Sequence, residues 1–402
     1  MKKSVLSMLV LFLIAPTFIL HCNASDASEK PSVNAHGAIL MDAKTGRVLW
    51  GKNEHEPLAM ASTTKIMTAI LTLESGRLDE TVTVSRRAAA APRMKMHLTP
   101  GERIRLGDLL LALMLESSND AAVAIAEHLN GSVEEFCVAM TQKAREIGAM
   151  NTVYETPNGL DAGNHHSTAY DLALITRYAL EVPGFIRLTN TPSAHFSSDK
   201  RSYSMGNKNR LLNEYVGANG VKTGFTNKAG HCFVGAAMRV IDGEEMQLIA
   251  VALASGWGDR GRNQKYADSK EILDYGFNHY EYETLLTALE TAGSISILRS
   301  RTPIMEYLFA EGIYLPLNAN EKGKTRIDIT VPDNIKAPVR TGDVVGSASL
   351  YIGDEIYTEI PLLAAGCAAR HDLKTSLEKV MNAFIMQFTE HPVDVILPEW
   401  EE

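Results

Sequence analysis

Apolar residues along this chain follow two different periods, and the switches between them lay out its organisation. Short apolar runs at 38–41 and 48–50 flank Lys44-Thr45-Gly46, which predicts a hairpin whose glycine permits positive φ in the turn. From Ser62 the period becomes 3.6, with Ile66, Met67, Ile70, Leu71 and Leu73 on one broad face, the mark of an amphipathic helix. Further helical stretches are predicted over 106–115, 120–129, 133–147 and 168–180. Strand-like runs return at 220–226, 231–240 and 246–254, the last two joined by Asp242-Gly243, a strong hairpin signal. Strands at both ends of a helical block predict an α+β fold, one antiparallel sheet covered by helices.

Near residue 280 the texture changes. Short strands are predicted over 313–317, 325–331, 344–352 and 355–361, with Gly353-Asp354 as a tight turn. This divides the chain into a catalytic-sized domain over 35–280 and a small all-β domain over 283–366. The last segment, 371–390, carries a helical stripe of Leu373, Leu377, Val380, Met381, Phe384, Ile385 and Phe388. One reading is an interfacial helix lying on a membrane surface; the other is a terminal helix packed on its own domain. Trp400 suits a membrane interface, whereas Glu399, Glu401 and Glu402 do not favour an anionic bilayer.

Composition narrows the classes. With 402 residues, 45% of them hydrophobic, the chain can bury a large core in about two domains. A charged fraction of 22%, a net charge of −9 and no basic stripe exclude a nucleic-acid partner. Lys2 and Lys3, the apolar run 5–20 and the small-x-small Cys22-Asn23-Ala24 read as a cleaved export signal over 1–24. An uncleaved anchor is the alternative, and a lipidated Cys22 a lesser one, because His21 is bulky where a lipobox is small. Loss of Lys2 and Lys3 takes the net charge from −9 to −11. Of Cys22, Cys137, Cys232 and Cys367 three would remain, an odd and widely spaced set that implies no disulfide framework. Neither the cysteines nor His165-His166 show metal-ligand spacing, so no metal or cofactor is expected.

Candidate chemistry lies in three short stretches in one order: Ser62-Thr63-Thr64-Lys65, Ser117-Ser118-Asn119 and Lys222-Thr223-Gly224. An S-x-x-K, S-x-N, K-T-G series supplies a nucleophile, a proton relay and an anion-holding strand for acyl transfer. Each match alone is weak. Ser197 to Lys200 and Ser376 to Lys379 also read S-x-x-K, and Lys44-Thr45-Gly46 is a second K-T-G. Setting separates them. Ser62 opens a helix and Lys65 lies one turn on, which puts an amine beside a hydroxyl. A lysine can take the serine proton when burial and a nearby cation, here Lys222, depress its pKa. Ser197 falls in a polar loop, and no third motif follows Ser376.

Ser117 and Asn119 fall between two helices, where Ser118 or Asn119 would ordinarily serve as an N-cap. In the functional reading Ser117 shuttles a proton to the leaving group, and the Asn119 carboxamide bridges substrate and Lys65. Lys222 and Thr223 would hold a substrate carboxylate, and Gly224 would let an extended substrate approach the strand. The backbone N–H groups of Phe225 and Ser62 would face the developing oxyanion.

The sequence around these stretches, 60–68, 116–122 and 221–226, resembles the low-molecular-mass penicillin-binding D-alanyl-D-alanine carboxypeptidases. Pro157-Asn158-Gly159-Leu160, Ser167-Thr168-Ala169-Tyr170-Asp171 and Ala229-Gly230-His231-Cys232 support the likeness, which is close over 35–280. The resemblance implies the serine β-lactamase/DD-peptidase-like fold and a serine-type enzyme of peptidoglycan biosynthesis and cell-shape maintenance. Such an enzyme removes the terminal D-alanine of stem pentapeptides through an acyl-Ser62 intermediate and is trapped covalently by β-lactams. It also implies an extracytoplasmic place, at the cell wall or the outer face of the cytoplasmic membrane. Members often carry a further cation before an acidic-Ser-Lys run; here Asp268-Ser269-Lys270 points to Lys265. Ser118 stands where many members have glycine.

Two alternatives belong to other classes. A serine β-lactamase shares the three motifs but needs a carboxylate to activate a deacylating water; Glu155 is the candidate, one residue short of the usual spacing to Asn158. A non-catalytic peptidoglycan-binding protein would keep the fold and lose a motif residue, and all are present here. Endopeptidase or transpeptidase activity would use the same residues.

Overall fold

A computed structural model describes residues 30–241, 243–371 and 373–389. The expected signal segment and cleavage site, Asp242 and Trp400 lie outside the described residues.

Five strands make the central sheet: β1 (Gly37–Asp42), β2 (Val48–Lys52), β3 (Ala218–Thr226), β4 (Gly230–Ile241) and β5 (Glu244–Leu253). Their order is β2-β1-β5-β4-β3, with every neighbouring pair antiparallel. Alternate residues of β1 face opposite sides, and both sides are covered. Ile39 and Met41 join one apolar core, Ala38 and Leu40 the other. Burial on both faces is why β1, β4 and β5 read as near-continuous apolar runs.

The first core lies under the helices α1 (Lys65–Glu74), α2 (Leu106–Leu115), α3 (Asn119–Asn130), α4 (Val133–Ile147) and α5 (Ala169–Glu181). The second lies under α6 (Gly258–His279), whose Tyr266, Ile272, Leu273 and Phe277 pack on Leu40, Phe233 and Leu248. Gly276 is required there, since a Cβ would come within 2.5 Å of the Leu248 side chain.

Sequence periodicity placed α1 to α5 and the three later strands but missed α6, the longest helix, and the turn at Lys44-Thr45-Gly46 is present, with Gly46 at φ +76°. Asp42 accepts from Thr45 N–H and Oγ1–H there, at 2.7 and 2.5 Å. One expectation fails. Ser197 lies not in a polar loop but in a two-stranded hairpin, Ser193–Ser197 with Ser202–Gly206. Phe196, Tyr203 and Met205 bury one face of it against the first core, while the serines between them dilute the alternation.

Past α6, strand Glu281–Leu286 pairs with Ile313–Leu317. A six-stranded sheet follows in the order Thr325–Thr330, Val344–Ile352, Glu355–Ala364, Ile304–Phe309, Thr291–Leu298, Asn334–Lys336. Its core, including Ile295, Leu315, Leu350 and Leu362, is separate from the other two. Contacts across the junction gather on the first hairpin. Arg47 pairs with Glu321 at 2.7 Å and donates to Pro316 O, Tyr282 OH donates to Asp42 at 2.6 Å, and Lys44 lies over the stacked rings of Tyr282 and Tyr314. Helix Leu373–Thr389 ends the described chain.

Candidate active site

The nucleophile turn is a 3-10 segment, Ala61–Thr64, that runs directly into α1. Ser62 therefore sits one tight turn ahead of the α-helix, and its hydroxyl donates to Asn158 O at 3.4 Å. Thr63 Oγ1 and Thr64 Oγ1 close the turn on Met60 O and Ala61 O at 2.6 and 2.8 Å. This leaves Ser62 Oγ pointing at Lys65. Lys65 Nζ lies 2.9 Å from Ser62 Oγ, 2.8 Å from Asn119 Oδ1 and 2.5 Å from Asn158 O, with the side chain fully buried. Burial, then the nearby Lys222 charge, pushes its pKa well below the usual lysine value, against an opposing pull from Asp120. A buried amine favours its neutral form, which can accept a proton from a hydroxyl.

The corner between α2 and α3 supplies the second group of residues. Ser117 is 8% exposed and holds a left-handed backbone at φ +67°, a conformation that costs a non-glycine residue roughly 1–3 kcal/mol and recurs at functional sites. Ser118 occupies the N-cap position of α3 without a side-chain capping bond. Asn119 is committed on both ends of its carboxamide: Oδ1 faces Lys65, and Nδ2 donates to Arg93 O at 2.7 Å. Asp120 accepts from Met96 N–H and Leu98 N–H at 3.0 Å. These bonds hold the 92–98 segment over the corner and bring Met94 to the cleft wall.

Strand β3 is the sheet edge and forms the opposite wall. A Cβ on Gly224 would lie 3.0 Å from both Ser62 N and Ala61 Cβ. What the glycine admits is thus the nucleophile turn itself, a correction to the expectation that it clears space for substrate. Ser62, Ser117, Thr223, Gly224, Phe225 and Lys265 all line one cleft of about 600 Å³. Lys65 and Asn119 lie beneath it. Lys222 is set back from the wall, buried, with Nζ donating to Thr223 O at 3.0 Å; burial, then Lys265 and Lys208, lowers its pKa to about 7. Burial also lowers Lys265 to about 8. Among the described residues no carboxylate pairs with Lys65, Lys222 or Lys265.

Several contributors carried no sequence signal. Lys208, Arg210 and Arg262 also line the cleft, each paired with a carboxylate: Glu116 at 3.3 Å, Glu214 at 2.8 Å and Asp259 at 3.3 Å. They come from three separated positions with no shared motif. The Asn158 carbonyl is a backbone atom, invisible to any pattern of side chains. Its turn is pinned by Thr68 Oγ1–H to Pro157 O at 2.7 Å, and Gly159, at φ +81°, allows contact with the Ala61 backbone. His165, which lacks metal-ligand spacing in the sequence, is a buried brace. Glu155 N–H donates to its Nδ1 at 3.0 Å, so the ring proton sits on Nε2 and reaches Thr64 Oγ1 at 2.9 Å. Burial lowers this histidine to about 4.

Glu155 faces away from this chemistry. It lines a separate hollow with Cys137, Arg145 and Tyr154 on the α4 side. On the cleft wall, among the described residues, Asp259 is the one carboxylate, and it pairs with Arg262 at 3.3 Å. The arrangement can support acyl transfer on an anionic substrate, and among the described residues no carboxylate lines the cleft close to Ser62 in position to activate water.

Comparison with known proteins agrees with this geometry. Residues 24–256 match the family model described as D-alanyl-D-alanine carboxypeptidase, and 280–367 match the penicillin-binding protein 5 C-terminal domain. The chain is similar to D-alanyl-D-alanine carboxypeptidase DacF of Bacillus subtilis, 32% identical over 92% of this chain and 95% of that protein. It is 30% identical to DacC of Escherichia coli over 88% of each. Its fold is similar to that of the carboxypeptidase DacD from Francisella tularensis, with a TM-score of 0.71 at 26% identity, covering 86% of this chain and 97% of that one. The chain belongs to the D-alanyl-D-alanine carboxypeptidase family of penicillin-binding serine peptidases.

Proposed function

We propose that the family's reaction, release of the terminal D-alanine from peptidoglycan stem peptides, runs in this chain through Ser62. Lys65 takes the Ser62 hydroxyl proton as Oγ attacks the carbonyl of the penultimate D-alanine. The oxyanion that forms is held by the N–H groups of Ser62 and Phe225. As the C–N bond breaks, the proton passes from Lys65 through Ser117 to the leaving amine, and D-alanine departs. Water then cleaves the acyl-Ser62 ester by the same relay in reverse.

Asn119 orients Lys65 and the peptide. Thr223 and Lys265 hold the substrate carboxylate from the wall, and Lys222 contributes as a positive charge behind it. β-Lactams acylate the same serine. The observation that carries this reading is a fully buried Lys65 Nζ within 2.9 Å of Ser62 Oγ and 2.8 Å of Asn119 Oδ1. The test is D-alanine release from a stem pentapeptide, with mass spectrometry after penicillin addition. Wild type should release D-alanine and gain one penicilloyl mass on the peptide bearing Ser62. Equal release by Ser62→Ala would sink the assignment.

Position at the membrane surface is a further part of the proposal. No described helix is long and apolar enough to cross a bilayer. Helix Leu373–Thr389 exposes Leu377, Val380, Met381 and Phe384, an apolar face suited to a bilayer interface. Export rests on the signal-like run before residue 25. Co-sedimentation with vesicles, compared between the full chain and one ending at 371, tests the helix; equal sedimentation argues against it.

A further inference from the structure

The roles assigned above fix the direction in which a peptide leaves the cleft, and this inference rests on that assignment. A terminal carboxylate at Thr223 and an acyl carbonyl at the Phe225 N–H set the substrate antiparallel to β3. Its N-terminal part must then run past Phe225 towards Thr226, Asn227 and Lys228. Three residues of extended chain span at most about 11 Å, so the second and third residues of a stem peptide come level with Lys228.

A second hollow, of about 400 Å³, lies at that end, lined in part by Lys52, Leu58, Ala59, Lys228, Ala229 and Trp257. Three of its lining residues lie close along the chain to the cleft. Ala59 is three residues before Ser62, Ala229 two before His231, and Trp257 one before Gly258, and all three of those partners line the cleft. On the cleft side, Phe225, 44% exposed, lies 4.4 Å from the His231 ring.

The hollow is built rather than incidental. Trp257 is 55% exposed, yet its Nε1–H donates to Asn227 O at 2.9 Å. The ring rests on Gly230, where a Cβ would come within 3.1 Å of it. Lys52 is held by Val33 O at 2.8 Å, and among the described residues neither Lys52 nor Lys228 has a carboxylate within ion-pair distance. A fixed aromatic face beside two uncompensated ammonium groups suits an amphipathic anion.

We propose that this hollow is a second substrate subsite, which receives the free α-carboxylate of the γ-linked D-glutamyl residue upstream of the scissile bond. Lys228 is its charge partner, supported by Lys52, and the Trp257 face packs against the aliphatic part of the peptide. Lys228 and Trp257 act here as specificity residues for the family's reaction.

The experiment compares two pentapeptides that differ at the second residue, γ-D-glutamyl with a free carboxylate against its carboxamide, by D-alanine release. Wild type should favour the acid about 10-fold in kcat/KM, within the range of one charge-assisted hydrogen bond. Lys228→Gln should bring that ratio close to one, Lys228→Arg should preserve it, and added salt should shrink it because Lys228 is exposed. Trp257→Ala should lower kcat/KM for both peptides. Equal use of acid and amide by wild type, or an unchanged ratio in Lys228→Gln, overturns the subsite while leaving Ser62 chemistry intact. Failure of wild type to release D-alanine from either peptide would instead overturn the reading on which the subsite rests.

Discussion

Substituting Gly159 by alanine tests whether the turn carrying the Asn158 carbonyl positions the Lys65 amine. The added Cβ would lie 1.9 Å from Ala61 O and 2.9 Å from Ser62 N. Ordinary contact for a Cβ lies at 3.4–4 Å, so the turn or the nucleophile segment must give way by more than 1 Å. Asn158 O then loses its place 2.5 Å from Lys65 Nζ. Two costs follow. A left-handed backbone, φ +81° here, costs an alanine about 1–2 kcal/mol, which in a domain of this size lowers Tm by about 2–8 °C. A 1 Å misplacement of reacting groups costs on the order of 10²-fold in rate. The assay is acylation by a fluorescent penicillin under single-turnover conditions, with thermal unfolding alongside. The expected outcome is a ~100-fold slower acylation in a protein that still unfolds cooperatively. Acylation within twofold of wild type would refute the argument that this turn holds the amine in place.

Asn119→Asp places a carboxylate on the proposed base, which raises the Lys65 pKa by about 1–3 units. Because the base must be neutral, the acid limb of acylation should move to higher pH by that amount; an unmoved limb in stopped-flow pH profiles argues against Lys65. Ser117→Ala should slow amide substrates by about 10²–10⁴-fold and thiolester analogues far less, since a thiolate leaves without a proton; equal loss on both, by product release, speaks against the shuttle. Glu102 is buried and accepts from Tyr203, Ser198 and Thr99; burial alone would raise its pKa, but these bonds hold it at about 2. Its contribution to stability is therefore complete above the usual value of 4.5 and lost as pH falls through about 2. Glu102→Gln should cost about 1–3 kcal/mol at neutral pH and flatten the acid limb of the denaturation curve; an unchanged curve would count against the network.

How much of this was legible depended on which atoms carried the information. Ser62 and Lys65 were readable because helical geometry turns a spacing of three into a contact. The false K-T-G at Lys44 was separable because its neighbours form a hairpin, and it proved to be the turn that meets the second β-rich part. Asn158 and Gly159 stand out only through the family likeness, since a carbonyl that touches Lys65 leaves no letter behind. Lys208, Arg210 and Arg262 were missed because tertiary folding alone brings them together. The strands Thr291–Leu298 and Ile304–Phe309 were also missed, their alternation broken by serine, glycine and glutamate. Glu155 looked tempting in one dimension and faces another hollow in three.

The buried row of Lys65, Lys222 and Lys265 has a consequence for the empty enzyme. Asp120 answers Lys65 from a distance, but among the described residues no carboxylate pairs directly with these amines, and an arriving carboxylate supplies that partner. Near pH 7 Lys222 is partly neutral, so binding an acidic ligand draws protons from the medium, and the two equilibria are one. Alkali then acts as a competitor that never enters the cleft. Calorimetric heats of binding should vary with the ionisation enthalpy of the buffer, and the rise in Tm on binding should be largest below about pH 7, where Lys222 is already charged, and shrink as pH climbs past it.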